Sequence, residues 1–311
     1  MSIQHDKLLS VIIPSYNEQD MINTTFHTVK RIMDEAAIPF EIIFVDDGSK
    51  DLTYSNIFHL SKEYSEVKGL SFSRNFGKES AIFAGLNEAK GACCVIMDCD
   101  LQHPPRTIVE MYRLWEEGYE VVEGIKASRG RENPLHSVCA NGFYAIISKL
   151  TDIDMTNASD FKLLDRQAID ALLEMPERAP FFRALSSWIG FKTTSIPFEV
   201  QERTVGTSKW SLYSLIKYAI RNITSFSGAP MQIVTGLGGI MLLFSLVLGI
   251  QSLYRYFSGT ALEGFTTVIL LQLFIGSALM FSLGVIGHYI SRIYDEIKRR
   301  PKYIISKRCG D

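Results

Sequence analysis

Two long stretches near the C-terminal end carry no charge, and few features restrict a fold more. Between Arg221 and Arg255, 33 residues contain no Asp, Glu, Lys or Arg, and between Glu263 and Arg292 there are 28 more. Each can supply the roughly 20 apolar residues that cross a bilayer as a helix. The connector RYFSGTALE is too short for a second domain, so the pair reads as a hairpin. Two buried soluble helices are the competing reading. After the second stretch come Arg292, Lys298, Arg299, Arg300, Lys302, Lys307 and Arg308 against three acidic residues. Cytoplasmic flanks carry such an excess of Lys and Arg, which places the C-terminus in the cytoplasm and, after two crossings, the N-terminal part on the same side. MSIQHDKLLS passes straight into VIIP and is not expected to be a signal sequence.

The remaining composition excludes some partners. A formal charge of -2, with no long basic stripe ahead of the C-terminal end, gives no reason to expect nucleic acid. The five cysteines form neither a CxxC nor a paired framework, and the adjacent Cys93 and Cys94 would face opposite ways in a strand. A reduced, cytosolic setting follows.

The first hundred residues alternate short apolar runs with longer mixed segments. LLSVIIPSY, EIIFVDD, GLSFS and ACCVIMD read as strands, and the segments around 19–36, 51–65 and 78–89 as helices. That alternation predicts βαβ crossovers and a largely parallel sheet, whose ligands collect beyond the carboxyl ends of the strands. There lie Pro14 to Glu18, Asp46 to Ser49, Arg74 to Lys78 and Asp98 to Gln102. No G-x-x-x-x-G-K-[ST] is present, and no G-x-G-x-x-G follows the first strand, which disfavours a P-loop NTPase and NAD. In VIMDCDLQHPP, alternate side chains of a strand share a face, so Asp98 and Asp100 can enter one site while Met97 and Cys99 point elsewhere. Such a pair suits Mg²⁺ or Mn²⁺, which needs few protein ligands when phosphates complete its shell. A solvated turn or helix cap would use the same residues.

With VIIPSYNE, FVDDGSKD, SRNFGKESA and MDCDLQHPP in this order, the chain resembles the family 2 glycosyltransferases of the GT-A fold. SRNFGKE, DLQHPP and the two C-terminal stretches are together similar to the polyprenyl-phosphate glycosyltransferases, including the bactoprenol glucosyltransferases and dolichyl-phosphate mannose synthases. The resemblance implies an α/β nucleotide-sugar-binding domain with a central, mostly parallel sheet, an interfacial helix and a C-terminal two-helix transmembrane hairpin. The implied boundaries are 1–210 for a cytoplasmic catalytic domain, 211–228 for an interfacial amphipathic segment, 229–291 for the hairpin and 292–311 for a basic cytoplasmic tail.

Carried over residue by residue, the resemblance assigns Pro14, Tyr16, Glu18, Asp46, Asp47, Lys78 and Asp98 to the nucleotide-sugar pocket, and Asp98, Asp100 and Gln102 to Mg²⁺ or Mn²⁺. Asp160 is implied near the donor sugar and the acceptor phosphate, with a turn or helix cap as its structural alternative. The segment RTVGTSKW brings Arg203, Ser208 and Lys209 around Gly206, and the resemblance places them, with Lys126 and Arg129, at the acceptor phosphate. Asp98, Asp100, Asp160, Arg129, Arg203 and Lys209 form the implied catalytic set. Leu215, Ile216, Ala219, Ile223 and Phe226 recur at helical spacing, as expected of a helix lying in the interface, with a helix that packs on a partner as the alternative. Asn222 stands where relatives often have Asp. Cys99 reads as a small core residue, His103 as a structural loop residue, and His288 as a hydrogen-bonding group between helices or at the interface.

The implied reaction is transfer of glucose from UDP-glucose to undecaprenyl or related polyprenyl phosphate, giving a β-linked glucosyl phosphoryl lipid at the inner membrane. Mannose and formamido-arabinose donors, a processive polysaccharide synthase and a non-catalytic membrane scaffold are the alternatives. A polymer channel would need more spans, and no QxxRW-like segment appears. Membrane lipid, a flippase, a downstream glycosyltransferase and a second copy of the chain complete the implied partners. The charge distribution makes one prediction of its own: impermeant cysteine labelling in intact cells should leave reporter cysteines at both termini unmodified. Labelling of the C-terminal reporter from outside would reject the topology.

Overall fold

β1 (Leu9–Ser15), β2 (Phe40–Asp46) and β3 (Val67–Phe72) are buried on both faces, so each reads as a continuous apolar run instead of an alternation. The computed structural model describes residues 7–127, 159–177, 181–199, 229–258 and 264–310. It divides into two units, one of Met1–Trp210 with Arg300–Asp311 and the other of Ser211–Arg299.

In the first unit the described residues build an eight-stranded sheet of order β7-β5-β6-β4-β1-β2-β3-β8. The other strands are β4 (Cys93–Ile96), β5 (Val121–Lys126), β6 (Lys162–Asp165), β7 (Thr193–Phe198) and β8 (Ile305–Cys309). Helices α1 (Ile22–Glu35), α2 (Thr53–Glu63) and α3 (Lys78–Glu88) link the first four strands, which pair in parallel. α1 buries Ile22, Thr25, Phe26, Val29, Ile32 and Met33, the stripe expected of a helix covering a sheet. α4 (Pro105–Glu116) opens on a proline, whose missing N–H costs nothing in a first turn, and α5 (Arg166–Glu174) opens on Asp165, whose side chain accepts from Gln167 N–H.

The order creates a switch point. The chain steps from β1 outward to β2 and β3, then returns to place β4 on the other side of β1. A crevice therefore opens beyond the carboxyl ends of β1 and β4. β6 runs antiparallel to both β4 and β5, so its beginning lies at the edge where they end. Ile96 pairs with Lys162, and extending that register by two residues sets Asp98 opposite Asp160.

At the opposite edge a buried ion pair ties three strands. Glu41 on β2 accepts from Lys68 of β3 at 2.7 Å and from Ser10 of β1 at 2.6 Å, while the Lys90 backbone N–H donates to it at 2.7 Å. A one-residue slip of any strand would leave a charge without its partner, so the pair fixes register more than it adds stability.

Residues 292–311, expected to be a single basic tail, divide instead. Arg292 to Ile297 continue a helix, and Ile305–Cys309 form β8, antiparallel to β3 at the sheet edge. Ser73 N–H donates to Ile304 O at 3.0 Å, Arg308 pairs with Glu88 at 2.7 Å, and Tyr303 stacks on Phe72 with centroids 5.1 Å apart. Cys309 lies opposite Gly69, where a Cβ would fall 2.6 Å from its sulfur and 2.4 Å from Ile57, so only glycine permits the strand to close on α2. Lys307 and Arg308 place charge on an edge strand, which protects it from further pairing.

The second unit contains α7 (Ala229–Phe257) and α8 (Phe265–Ile297), of 29 and 33 residues. Within them Ile233–Gln251 and Phe274–Ile297 are long and apolar enough to cross a membrane. The segment expected at the interface, 211–228, lies outside the described residues.

Because β8 completes the sheet beside β3, deleting residues 303–311 should expose Phe72 and the edge of β3. The expected result is a melting temperature lowered by roughly 5–10 °C, corresponding to a few kcal/mol in a unit of this size. An unchanged melting temperature in matched detergent would show that β8 is dispensable.

Candidate active site

Three loops at the carboxyl edge are held together by one another's polar groups. Asn17 N–H donates to Ser49 Oγ at 2.8 Å, Lys50 N–H to Asn17 Oδ1 at 3.0 Å, and Glu18 N–H to Thr53 Oγ1 at 2.9 Å. The loop after β1 is thereby fastened to the loop after β2. Pro14 sits within β1, half-buried, and Tyr16 stands beyond it with 43% of its surface exposed. Glu18 is half-buried, and its carbonyl accepts from Met21 and Ile22 as α1 begins.

Asp46 and Asp47 are buried, and each of their four oxygens already accepts a hydrogen bond. Asp46 takes Ser49 N–H at 2.9 Å and Ser71 Oγ at 2.7 Å. Asp47 takes Phe76 N–H at 2.6 Å and Gly77 N–H at 2.9 Å, which satisfies two donors where α3 begins. Burial pushes the Asp47 carboxyl above its usual range, against those N–H donors. Both residues are thus anchors of the loops that wall the crevice. Between them and Ser49, Gly48 adopts φ +69° with the Arg74 backbone 2.4 Å from where a Cβ would stand, which excludes any side chain there.

Lys78, the first residue of α3, reaches from that anchored end into the crevice. Its Nζ lies 2.6 Å from Asp98 Oδ1 and 2.9 Å from Asp160 Oδ2, so one ammonium bridges the two carboxylates that the sheet register sets face to face. Burial opposes the charge on all three groups. Their mutual attraction outweighs it: Asp98 and Asp160 are held below the usual carboxylate range and Lys78 above the usual lysine value. Arg183 of α6 (Phe182–Trp188) closes the set with a fork on Asp160, Nε to Oδ1 at 2.6 Å and Nη2 to Oδ2 at 2.9 Å.

The loop after β4 is tight. Leu101 takes φ 57°, unusual for a residue with a side chain, and Gln102 N–H donates to Asp100 Oδ1 at 3.2 Å. Thr25 Oγ donates to the Cys99 carbonyl at 2.6 Å, and burial pushes the Cys99 thiol up to about 12, so it is an inert core residue. His103 accepts from Asp98 N–H at 3.3 Å and stacks on Phe161 at 4.7 Å, a structural role beneath the site.

Asp98 and Asp100 offer hard oxygens one residue apart at the crevice, which fits Mg²⁺ or Mn²⁺ completed by diphosphate and water. Among the described residues no group of three His, Cys, Asp or Glu side chains forms a cage for a metal.

Of the residues expected here, Asp98, Asp160 and Lys78 meet directly. Lys126 is exposed at the end of β5 on the same edge. Arg129, Arg203, Ser208 and Lys209 lie outside the described residues. Arg183 and Glu79 escaped the sequence reading. A lone arginine among buried Phe181, Phe182, Ala184 and Leu185 was the available signal, since a charge in an apolar run requires a partner.

The glycosyl transferase family 2 profile matches residues 10–173. The chain is 38% identical over 303 residues to the uncharacterized glycosyltransferase YkcC of Bacillus subtilis (strain 168), covering 97% of this chain and 94% of that one. It is 34% identical over 301 residues to the bactoprenol glucosyl transferase of Shigella phage SfII, covering 96% and 97%. In fold it is similar to glucosyl-3-phosphoglycerate synthase from Mycobacterium tuberculosis, crystallised with Mn²⁺, UDP and phosphoglyceric acid, with a TM-score of 0.50 and 18% identity over 71% of this chain and 79% of that one.

Glu79 supplies a pH test of the site. Burial and the neighbouring Asp160 charge push its carboxyl from the ordinary 4.5 up to about 7. Between those values the folded protein holds a proton that the unfolded chain has released, so this group's contribution to stability declines as pH rises through the window. Glu79→Gln cannot ionise and keeps an oxygen for Phe182 N–H, which donates to Glu79 at 2.8 Å. Its melting temperature relative to wild type should therefore rise between pH 5 and pH 8; a constant difference would show that Glu79 ionises normally.

Proposed function

Because this chain belongs to glycosyl transferase family 2, we propose that it transfers glucose from UDP-glucose to undecaprenyl or a related polyprenyl phosphate, with inversion at the anomeric carbon. What carries this reading is that the similarity to a bactoprenol glucosyl transferase runs through the sheet unit and both apolar helices, over 96% of this chain. A phosphate on a long isoprenoid tail cannot leave a bilayer, and a nucleotide sugar cannot enter one. An enzyme joining them needs a water-facing donor site on a membrane anchor.

The second unit supplies such an anchor. Ile240, Leu243, Val247, Ile250, Leu279 and Ile290 are each more than half exposed, a surface suited to lipid and costly in water. The chain leaves the first unit before α7 and returns to it as β8. Two crossings satisfy that path where one would not, so the return strand supports a hairpin with both ends on one side of the bilayer.

In the proposed reaction an oxygen of the acceptor phosphate forms a bond to the anomeric carbon while the bond from that carbon to the UDP diphosphate breaks, its electron pair leaving on the diphosphate. An acceptor phosphate is ionised near neutral pH and needs no strong base. A bound divalent ion would offset negative charge on the leaving diphosphate, with Asp98 and Asp100 to hold it. Lys78 and Asp160 would orient the donor sugar, Asp46 and Asp47 would fix the loops around the nucleotide, and Tyr16 would lie beside it. Arg203, Ser208 and Lys209, with Lys126 and Arg129, would hold the acceptor phosphate.

The decisive assay offers purified protein a panel of nucleotide sugars with undecaprenyl phosphate and Mg²⁺ or Mn²⁺. UDP-glucose should give the fastest transfer and a β-linked lipid product; a faster donor would correct the sugar, and no product from any donor would overturn the reading. Asp100→Asn should lower turnover about 100-fold, the scale of losing one preorganised electrostatic contact. Normal turnover with an unchanged divalent-ion dependence would remove Asp100 from the metal site.

A further inference from the structure

We propose that Arg183 is a positioning residue for the transfer step, holding the Asp160 carboxylate in one orientation beside Lys78 and Asp98. This inference rests on the glycosyltransferase reading above and adds a residue to its site. Asp160 is only 5% exposed, and both of its oxygens are taken by the Arg183 fork, with Lys78 adding a third contact on Oδ2. A planar guanidinium fixes a carboxylate in plane and in rotation, which a single ammonium cannot do.

Arg183 is itself held from two directions. Phe182 N–H, at the start of α6, donates to Glu79 Oε2 at 2.8 Å. Glu79 and Lys78 are consecutive at the start of α3, so one helix end holds both the carboxylate and the helix that carries its guanidinium partner. On the other side the Arg183 carbonyl accepts from Ser186 Oγ at 3.2 Å and Ser187 Oγ at 3.1 Å. Those hydroxyls also take the fully buried Lys162 ammonium at 2.8 and 3.3 Å, and Glu123 neutralises Lys162 at 2.5 Å. Such a supporting shell is costly to bury and makes sense where one side chain's placement matters.

The geometry also limits what Asp160 does. Two cations sit on its oxygens, which disfavours a proton there, so it acts as a fixed negative charge that orients its neighbours. This suits an acceptor that arrives already ionised.

The test uses full-length Arg183→Ala and Arg183→Lys in the detergent used for wild type, with the donor and acceptor pair that gives wild-type turnover. Arg183→Ala should lower kcat about 100-fold, the cost of a small misplacement at a reacting centre. Its KM for donor, and its affinity for UDP with Mn²⁺ by calorimetry, should stay within about threefold. Added guanidinium ion should restore part of kcat to the Ala variant, and Arg183→Lys should fall between. A crystal structure of Arg183→Ala should show Asp160 rotated from its wild-type orientation. An unchanged kcat, equal loss of kcat and UDP affinity without guanidinium rescue, or an unmoved Asp160 would each overturn the proposal. Wild-type protein inactive with every donor and acceptor would overturn the glycosyltransferase reading instead, and the Asp160 orientation in the variant would still decide the role of Arg183.

Discussion

One ammonium group between two carboxylates is the contact on which the crevice depends. The antiparallel entry of β6 beside β4 forces Asp98 and Asp160 to face each other, and two like charges in a partly dry cleft repel. Lys78 removes that conflict at 2.6 and 2.9 Å while its side chain keeps 40% of its exposure to solvent. It can do so only because Asp47 secures the N-terminal end of α3 through Phe76 and Gly77 N–H. The acidic pair after β2 thus acts at a distance: it places a helix end, and the helix end places a cation. Removing one partner of such a buried set costs more than the set contributes as a whole, because the remaining charge stays behind without its partner.

Much of this was legible in the sequence. Strands buried on both faces announce themselves as VIIPS and EIIFV, and the helical segments between them were readable because each crossover must cover the sheet with an apolar stripe. The loops at the strand ends could be located for the same reason. What could not be read was pairing between distant segments. Nothing in PFFRALSSW names the carboxylate that its arginine meets, and nothing in ISKRC shows that it returns to β3 across more than 230 residues. Lys307 and Arg308 look like tail charges in the sequence because the residue types that guard an edge strand also decorate a cytoplasmic tail.

The roles of Asp46 and Asp47 show a related limit. A carboxylate at a strand end is the residue type a ribose needs and also the type that caps a turn or a helix. Sequence supplies the group but not the direction of its lone pairs. In the folded chain Ser49, Ser71, Phe76 and Gly77 each donate to one of their oxygens, so loop construction comes first and any contact with a nucleotide uses capacity that remains.

The return of the chain as β8 joins the two ends of this design. Ser306 Oγ donates to the Ser71 carbonyl at 3.1 Å, and the Ser71 hydroxyl donates to Asp46 at 2.7 Å. The residue that supports the loop after β2 is therefore itself supported by the strand following the apolar helices. A chain that only needed an anchor could end after α8. Continuing into the sheet instead makes the helical unit an insertion within the unit that carries the crevice, whose own edge strand β8 is built from the residues that follow α8.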